Sequence, residues 1–243
     1  MRDRTAAIIV IGNEILSGKV ADTNSAFLTR ELRRLGVSVR RILVIPDDLD
    51  EIAETVDTYH RAVDIVFTSG GVGPTHDDVT IAGVARGLGR SVVRHPWLEQ
   101  KIREFSGDQA DEARLKMAEV PDGARLLFGG SLIFPALQVE NIYILPGIPE
   151  LFRDKFEGIK DRFASDPFHM RVIYARGVES ALAHYLNETL LAFPLLQLGS
   201  YPKLNDPEYQ VRVTLESKDR AYVDRAFDDL MARLPPDVIV RTE

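Results

Sequence analysis

The hydrophobic positions of this chain follow two alternating rhythms. The run AAIIVIG, residues 6–12, is apolar up to its closing glycine, as in a strand covered on both faces. A helical spacing follows, with Phe27, Leu28, Leu32 and Leu35 on one face, Asn24 placed to cap it and Gly36 to end it. VSVRRILVI predicts a second strand, and Ile52, Val56 and Tyr59 a second helix. DIVFTS predicts a third buried strand, and Ile81, Val84, Ala85 and Leu88 a third helix. Strands alternating with helices imply a parallel sheet with right-handed crossovers.

The middle of the chain is less regular. Residues 96–105 and the run DEARLKMAEV predict helices, and NIYIL predicts a strand ahead of Pro146 and Gly147. PELFRDKFEGIKDRF predicts a helix with Leu151, Phe152, Phe156, Ile159 and Phe163 on one face. The tail reads strand, helix, strand, strand, helix, strand, the split βαβ order of ferredoxin-like domains. In its third strand Tyr209, Val211, Val213 and Leu215 alternate with Gln210, Arg212, Thr214 and Glu216, which predicts one wet face. The expected architecture is an α/β domain with a parallel sheet over residues 1–167, followed by a small ferredoxin-like α+β domain over residues 168–243.

Composition removes several kinds of chemistry. With no cysteine among 243 residues, disulfides, thiolate zinc sites and a cysteine nucleophile are excluded. The net charge of -7 argues against general binding to nucleic acid or membrane surfaces. The five arginines of TRELRRLGVSVRR read as a solvated face. The N-terminus has no long apolar segment, so a signal peptide and a membrane span are not expected, and a cytoplasmic location is.

Ligands of open parallel sheets bind beyond the carboxyl ends of the strands. Four segments are expected to meet there: Gly12, Asn13 and Glu14; Pro46, Asp47 and Asp48; the run SGGVGPTHDDVT; and Pro146 with Gly147. Gly70, Gly71 and Gly73 allow positive φ and close approach of a ligand. Successive N–H groups at such a turn favour phosphate. The glycines alone fit equally a tight strand-to-helix turn with no ligand. Asp77 and Asp78 fit a helix start, where carboxylates complement the dipole. Beside a phosphate they fit a divalent cation, which one or two carboxylates hold together with substrate oxygens. Asp47 and Glu14 are candidates to complete that shell, against the plainer readings of a loop or cap residue ahead of the Leu49 helix for Asp47 and a solvated loop carboxylate for Glu14. His76 is a candidate to donate to phosphate or move a proton, against the plainer reading of a solvent-facing loop histidine. No dinucleotide GxGxxG, P-loop lysine or nucleophile-elbow serine is present.

The segments GNEILSGKVADTN, SGGVGPTHDDVT and LPGIPE together resemble the molybdopterin-binding (MoaB/MogA/CinA-like) family. The G-G-x-G-P-T-x-D-D pattern is similar to that of its CinA branch. LGSYP, YQVRVTLES and ARLP extend the resemblance to the N-terminal molybdopterin-binding-like domain of FAD synthase. The resemblance implies a Rossmann-like three-layer α/β/α fold for the first domain, with a phosphate- and metal-binding loop at Gly70, Gly71, Gly73, Pro74, Thr75 and Asp78. It matches Asp47 to an acidic residue after the second strand, and Pro146 and Gly147 to a second family loop. Asn13 stands where some relatives carry Asp or Thr, one candidate ligand fewer.

The activity the resemblance implies is a nucleotide pyrophosphatase, dependent on magnesium or cobalt, that splits FAD or ADP-ribose. Asp78, Asp47 and His76 are then the catalytic candidates, and Asp78, Asp77, Asp47 and Glu14 the metal candidates. Gly12 and Asn13 join the glycine loop and the second family loop in holding the nucleotide or pterin. The alternatives are a non-catalytic molybdopterin- or nucleotide-binding protein and a molybdopterin adenylyltransferase. The fold's relatives also imply a homo-oligomer, dimer or trimer.

Overall fold

A computed structural model describes residues 3–131 and 133–243. Leu132, within the strand-like stretch around GGSLIFPALQV, lies outside the described residues. The chain divides into two compact units, Met1–Ser165 and Asp166–Glu243.

The first unit alternates strand and helix through β1 (Thr5–Ile11), α1 (Asn13–Leu16), α2 (Asn24–Arg34), β2 (Ser38–Ile45), α3 (Leu49–Ala62), β3 (Ile65–Ser69) and α4 (Thr80–Gly87). It continues through β4 (Val92–Arg94), α5 (Pro96–Ser106), α6 (Glu112–Lys116), β5 (Glu119–Pro121), β6 (Arg125–Leu127), β7 (Ala136–Val139), β8 (Ile142–Leu145) and α7 (Pro149–Ile159). One sheet runs β2-β1-β3-β8-β7-β6. The first four strands pair in parallel, and β7 and β6 add an antiparallel edge.

The side chains of β1 are buried from Ala6 to Ile11, as its unbroken apolar run requires. Alternate residues feed two cores. Ile8 and Phe67 pack with Leu28, Leu32, Phe152, Phe156 and Phe163 beneath α2 and α7. Ile9, Ile11 and Val66 pack with Ile52, Val56 and Val84 beneath α3 and α4. Helices therefore cover both faces of the sheet. The ring of Phe163 stands edge-on to Phe67 at 5.0 Å and to Tyr143 at 4.7 Å, which fixes the end of the α7 segment against the sheet.

The middle segment corrects one reading. DEARLKMAEV is helical only to Lys116, and Glu119–Pro121 pairs antiparallel with β4. Pro121 drives Val120 towards an extended backbone. Ala118 and Val120 then reach the same small core as Leu98, Ile102 and Leu115.

The second unit comprises β9 (His169–Ala175), α8 (Glu179–Ala192), β10 (Gln197–Pro202), β11 (Val211–Ser217), α9 (Arg220–Arg233) and β12 (Ile239–Thr242). Its antiparallel sheet runs β10-β11-β9-β12, the arrangement of a split βαβ fold. Ile173, Ala175, Val213 and Leu215 pack against Leu182, Leu186, Val223 and Leu230 of the two helices. The expected wet face departs from its pattern at Thr214, which is 3% exposed and whose hydroxyl has no partner among the described residues.

Candidate functional site

The strand order 2-1-3 makes the chain leave β1 and β3 on opposite sides of the sheet, and the crevice between their carboxyl ends is where such sheets bind ligands. The loops after β1, β3 and β8 meet at that edge in backbone contact. Gly70 has φ +105°, and a Cβ there would stand 2.1 Å from the Ile11 carbonyl oxygen, so β1 and β3 approach more closely than any side chain permits. A Cβ on Gly147 would lie 3.3 Å from the Gly70 Cα, which brings the β8 loop to the same point.

Asn24 pins these loops from behind. It is 5% exposed, and its amide donates to Ser69 Oγ at 3.0 Å and to the Gly147 carbonyl at 2.8 Å. The sequence reading made Asn24 the helix cap. In the structure Asp22 does that work, accepting from the backbone N–H groups of Asn24 and Ser25 and from the Ser25 hydroxyl. The spacing of Asp22 before Ser25 was the available signal. Thr80 is a second residue the sequence did not single out. Its buried hydroxyl donates to the Gly70 carbonyl at 2.9 Å and its N–H to the Gly71 carbonyl at 3.0 Å, closing the turn onto α4.

The acidic candidates lie along this turn. Asp47 Oδ2 accepts from Asn13 N at 2.8 Å, joining the loops after β2 and β1. Its other oxygen faces the glycine turn, 3.6 Å from where a Gly71 Cβ would be. Asp78 Oδ2 accepts from Thr75 N at 2.8 Å and Thr75 Oγ1 at 2.5 Å, and it lies 2.7 Å from a Cβ position on Gly73. Each carboxylate thus commits one oxygen to the protein and, among the described residues, shows no hydrogen bond at the other. Neither has a cationic partner among the described residues. Glu14 is exposed and turns its carboxylate back over Gly12, 2.5 Å from a Cβ position there.

Asp77 and His76 lie further out. The Asp77 carboxyl is held below the ordinary carboxylate range, first by the Thr75 hydroxyl, then by its own N–H, with His76 and Lys116 adding to the effect. The His76 side chain is 97% exposed and sits 3.9 Å from Asp77. Pro74 and Thr75 are exposed at the tip of the turn, where Lys116 donates to the Thr75 carbonyl.

Backbone donors complete the site. Among the described residues the N–H groups of Gly71, Val72 and Gly73 donate to no protein acceptor, and α4 and α7 begin without a side-chain cap. Positive helix ends and free N–H groups suit a phosphate. Among the described residues no three His, Asp or Glu side chains are gathered tightly enough to hold a metal by themselves. The donor set is nonetheless hard oxygen with one open oxygen on each of Asp47 and Asp78. That fits magnesium, which takes one or two carboxylates and completes its shell with water and substrate phosphate.

Comparison with known proteins identifies the family of each unit. Residues 7–164 match the family model described as "Probable molybdopterin binding domain", and residues 167–243 match the middle domain of FAD synthase. A protein of Archaeoglobus fulgidus is 36% identical over 92% of this chain and 96% of its own length. A protein of Caenorhabditis elegans described as "Probable FAD synthase" is 32% identical over 97% of this chain, which spans only 51% of that relative. The crystal structure of CinA from Thermoplasma acidophilum, of unknown function, superposes with a TM-score of 0.61 at 35% identity, covering 66% of this chain and 98% of that one. Among the described residues no helix is long and apolar enough to cross a membrane. The chain belongs to the molybdopterin-binding domain family, as a CinA-like member whose second unit is of the FAD synthase middle-domain type.

Proposed function

We propose that the chain is a divalent-metal-dependent nucleotide pyrophosphatase that hydrolyses the diphosphate of FAD or ADP-ribose. The observation that carries this reading is the placement of Asp47 and Asp78 at one glycine turn, each with an open oxygen and beside three free backbone N–H groups. A diphosphate bound at these N–H groups is repelled by the carboxylates beside it unless a cation joins them, and a diphosphate carries such a cation.

Asp47 and Asp78 would hold the metal, with Glu14 within the same loop cluster. The metal supplies a bound water of lowered pKa and neutralises charge on the diphosphate. The N–H groups of Gly71 to Gly73 bind the phosphate and stabilise the charge that builds on its oxygens in the transition state. Asn13, fixed through its N–H to Asp47, keeps that carboxylate turned towards the glycines. Water adds to one phosphorus, the bridging P–O bond breaks, and two phosphomonoesters leave: FMN and AMP from FAD, ribose phosphate and AMP from ADP-ribose. The likeness of the second unit to FAD synthase favours FAD among the two.

The test is product analysis by liquid chromatography with FAD and ADP-ribose, each with magnesium, cobalt or chelator. The expected result is AMP with its paired product, abolished by chelator. Tight binding without product under every metal would instead establish a nucleotide- or pterin-binding protein, and AMP transfer from ATP to molybdopterin would establish an adenylyltransferase.

A further inference from the structure

The second unit presents a sheet face that α8 and α9 do not cover. One row across its four strands reads Tyr201, Arg212, Tyr174, Arg241, each directly opposite the next. The two halves of this row differ. The Tyr174 half is closed: the Arg241 guanidinium lies 3.5 Å from the Tyr174 ring centre and is paired with Glu208 and Glu243, and the Tyr209 ring packs at 4.8 Å. The Tyr201 half is open. Tyr201 is 49% exposed, and Arg212 lies 5.1 Å from its ring centre with no acidic partner among the described residues. Arg171, Arg233 and Arg241 all have one.

The next row is a floor. Gly199 pairs with Thr214, and the Tyr201 ring folds over the glycine, so that a Cβ on Gly199 would stand 2.6 Å from Tyr201 Oη. Beside it the Thr214 hydroxyl is buried without a hydrogen-bond partner among the described residues. A buried hydroxyl left unpaired is costly, and an aromatic ring resting on a glycine leaves a ring-shaped space when it turns away.

We infer that this half of the sheet is a binding site for a nucleotide: a planar heteroaromatic ring enters between Tyr201 and the Gly199 floor, its polar edge meets the Thr214 hydroxyl, and its phosphate pairs with Arg212. Aromatic stacking on a sheet combined with an unpaired guanidinium suits an anionic heteroaromatic ligand. The overall charge of -7 disfavours a nucleic-acid strand, so the ligand is a free nucleotide. The site is independent of the proposed hydrolysis.

The test is flavin fluorescence on titration of the full chain into FMN and into riboflavin, with chelator present to silence metal-dependent binding at the glycine turn. FMN is expected to bind more tightly than riboflavin, and Asp78→Asn to leave that binding unchanged. Tyr201→Ala is expected to weaken FMN about tenfold, as loss of one stacking partner does. Arg212→Gln is expected to weaken FMN but not riboflavin. Both positions are exposed enough for the variants to fold, which thermal unfolding checks. Equal FMN binding by wild type and both variants would overturn the inference. So would absence of binding with chelator, or a single-stranded oligonucleotide that binds more tightly than FMN.

Discussion

The two edges of the first sheet treat their acids in opposite ways. At the amino edge Glu140 pairs with Arg90 at 2.9 Å and lies 3.5 Å from His60, while the Asp64 carboxylate accepts from Thr5 N and Thr5 Oγ1 at 2.8 Å. At the carboxyl edge Asp47, Asp78 and Glu14 have no cationic partner among the described residues, and the glycine N–H groups beside them are unused. Glu140 meets a cation from the chain. Asp47 and Asp78 accept from chain donors at one oxygen each but meet no cation among the described residues, and backbone contacts fix the loops that carry them.

The largest effect that sharpens this contrast is expected at the backbone. Gly70→Ala forces a Cβ against the Ile11 carbonyl at a positive φ, and should cost about 3 kcal/mol or more, read as a fall in the denaturant midpoint. A midpoint like that of wild type would show that the β1 and β3 ends tolerate separation.

A buried cation gives the next effect. Lys155 donates to the carbonyls of Phe134 and Pro135, and burial pushes its pKa down from 10.5 to about 8, opposed by Asp154. The unfolded chain therefore binds more protons between pH 8 and 10.5, so stability should rise with pH across that window, by on the order of 1–3 kcal/mol. Urea unfolding at successive pH values checks this, and Lys155→Met should flatten the slope. A slope unchanged in the variant would assign the effect to other groups.

The smallest effect belongs to the paired edge. Glu140→Gln removes a half-exposed ion pair, and should cost at most about 1 kcal/mol with hydrolysis unchanged. A loss of hydrolysis there would break the contrast between the edges.

Much of this was legible in the sequence, for reasons that particular residues make plain. The unbroken run at residues 6–11 admits only a strand buried on both sides, and the glycines at 70, 71 and 73 announce a turn too tight for side chains. Asn24 was misread because a helix cap and a buried clamp use the same residue type, and the partner that distinguishes them, Gly147, lies 123 residues away. The strand at Glu119–Pro121 is only three residues long, too short to show a period, and its meaning depends on β4. Thr214 reads as a surface residue because alternation places it on a polar face. Its burial is a property of the sheet, which the strand's own pattern does not contain.

The most direct measurement of the central claim is the binding of manganese, followed by the paramagnetic resonance of the free ion, with and without a methylene-bridged ADP that cannot be hydrolysed. If Asp47 and Asp78 hold the metal jointly with a diphosphate, wild-type protein binds manganese weakly alone and at least about tenfold more tightly with the analogue, Asp78→Asn loses that gain, and Glu140→Gln keeps it. An equal gain in wild type and Asp78→Asn, or none in wild type, would contradict the account.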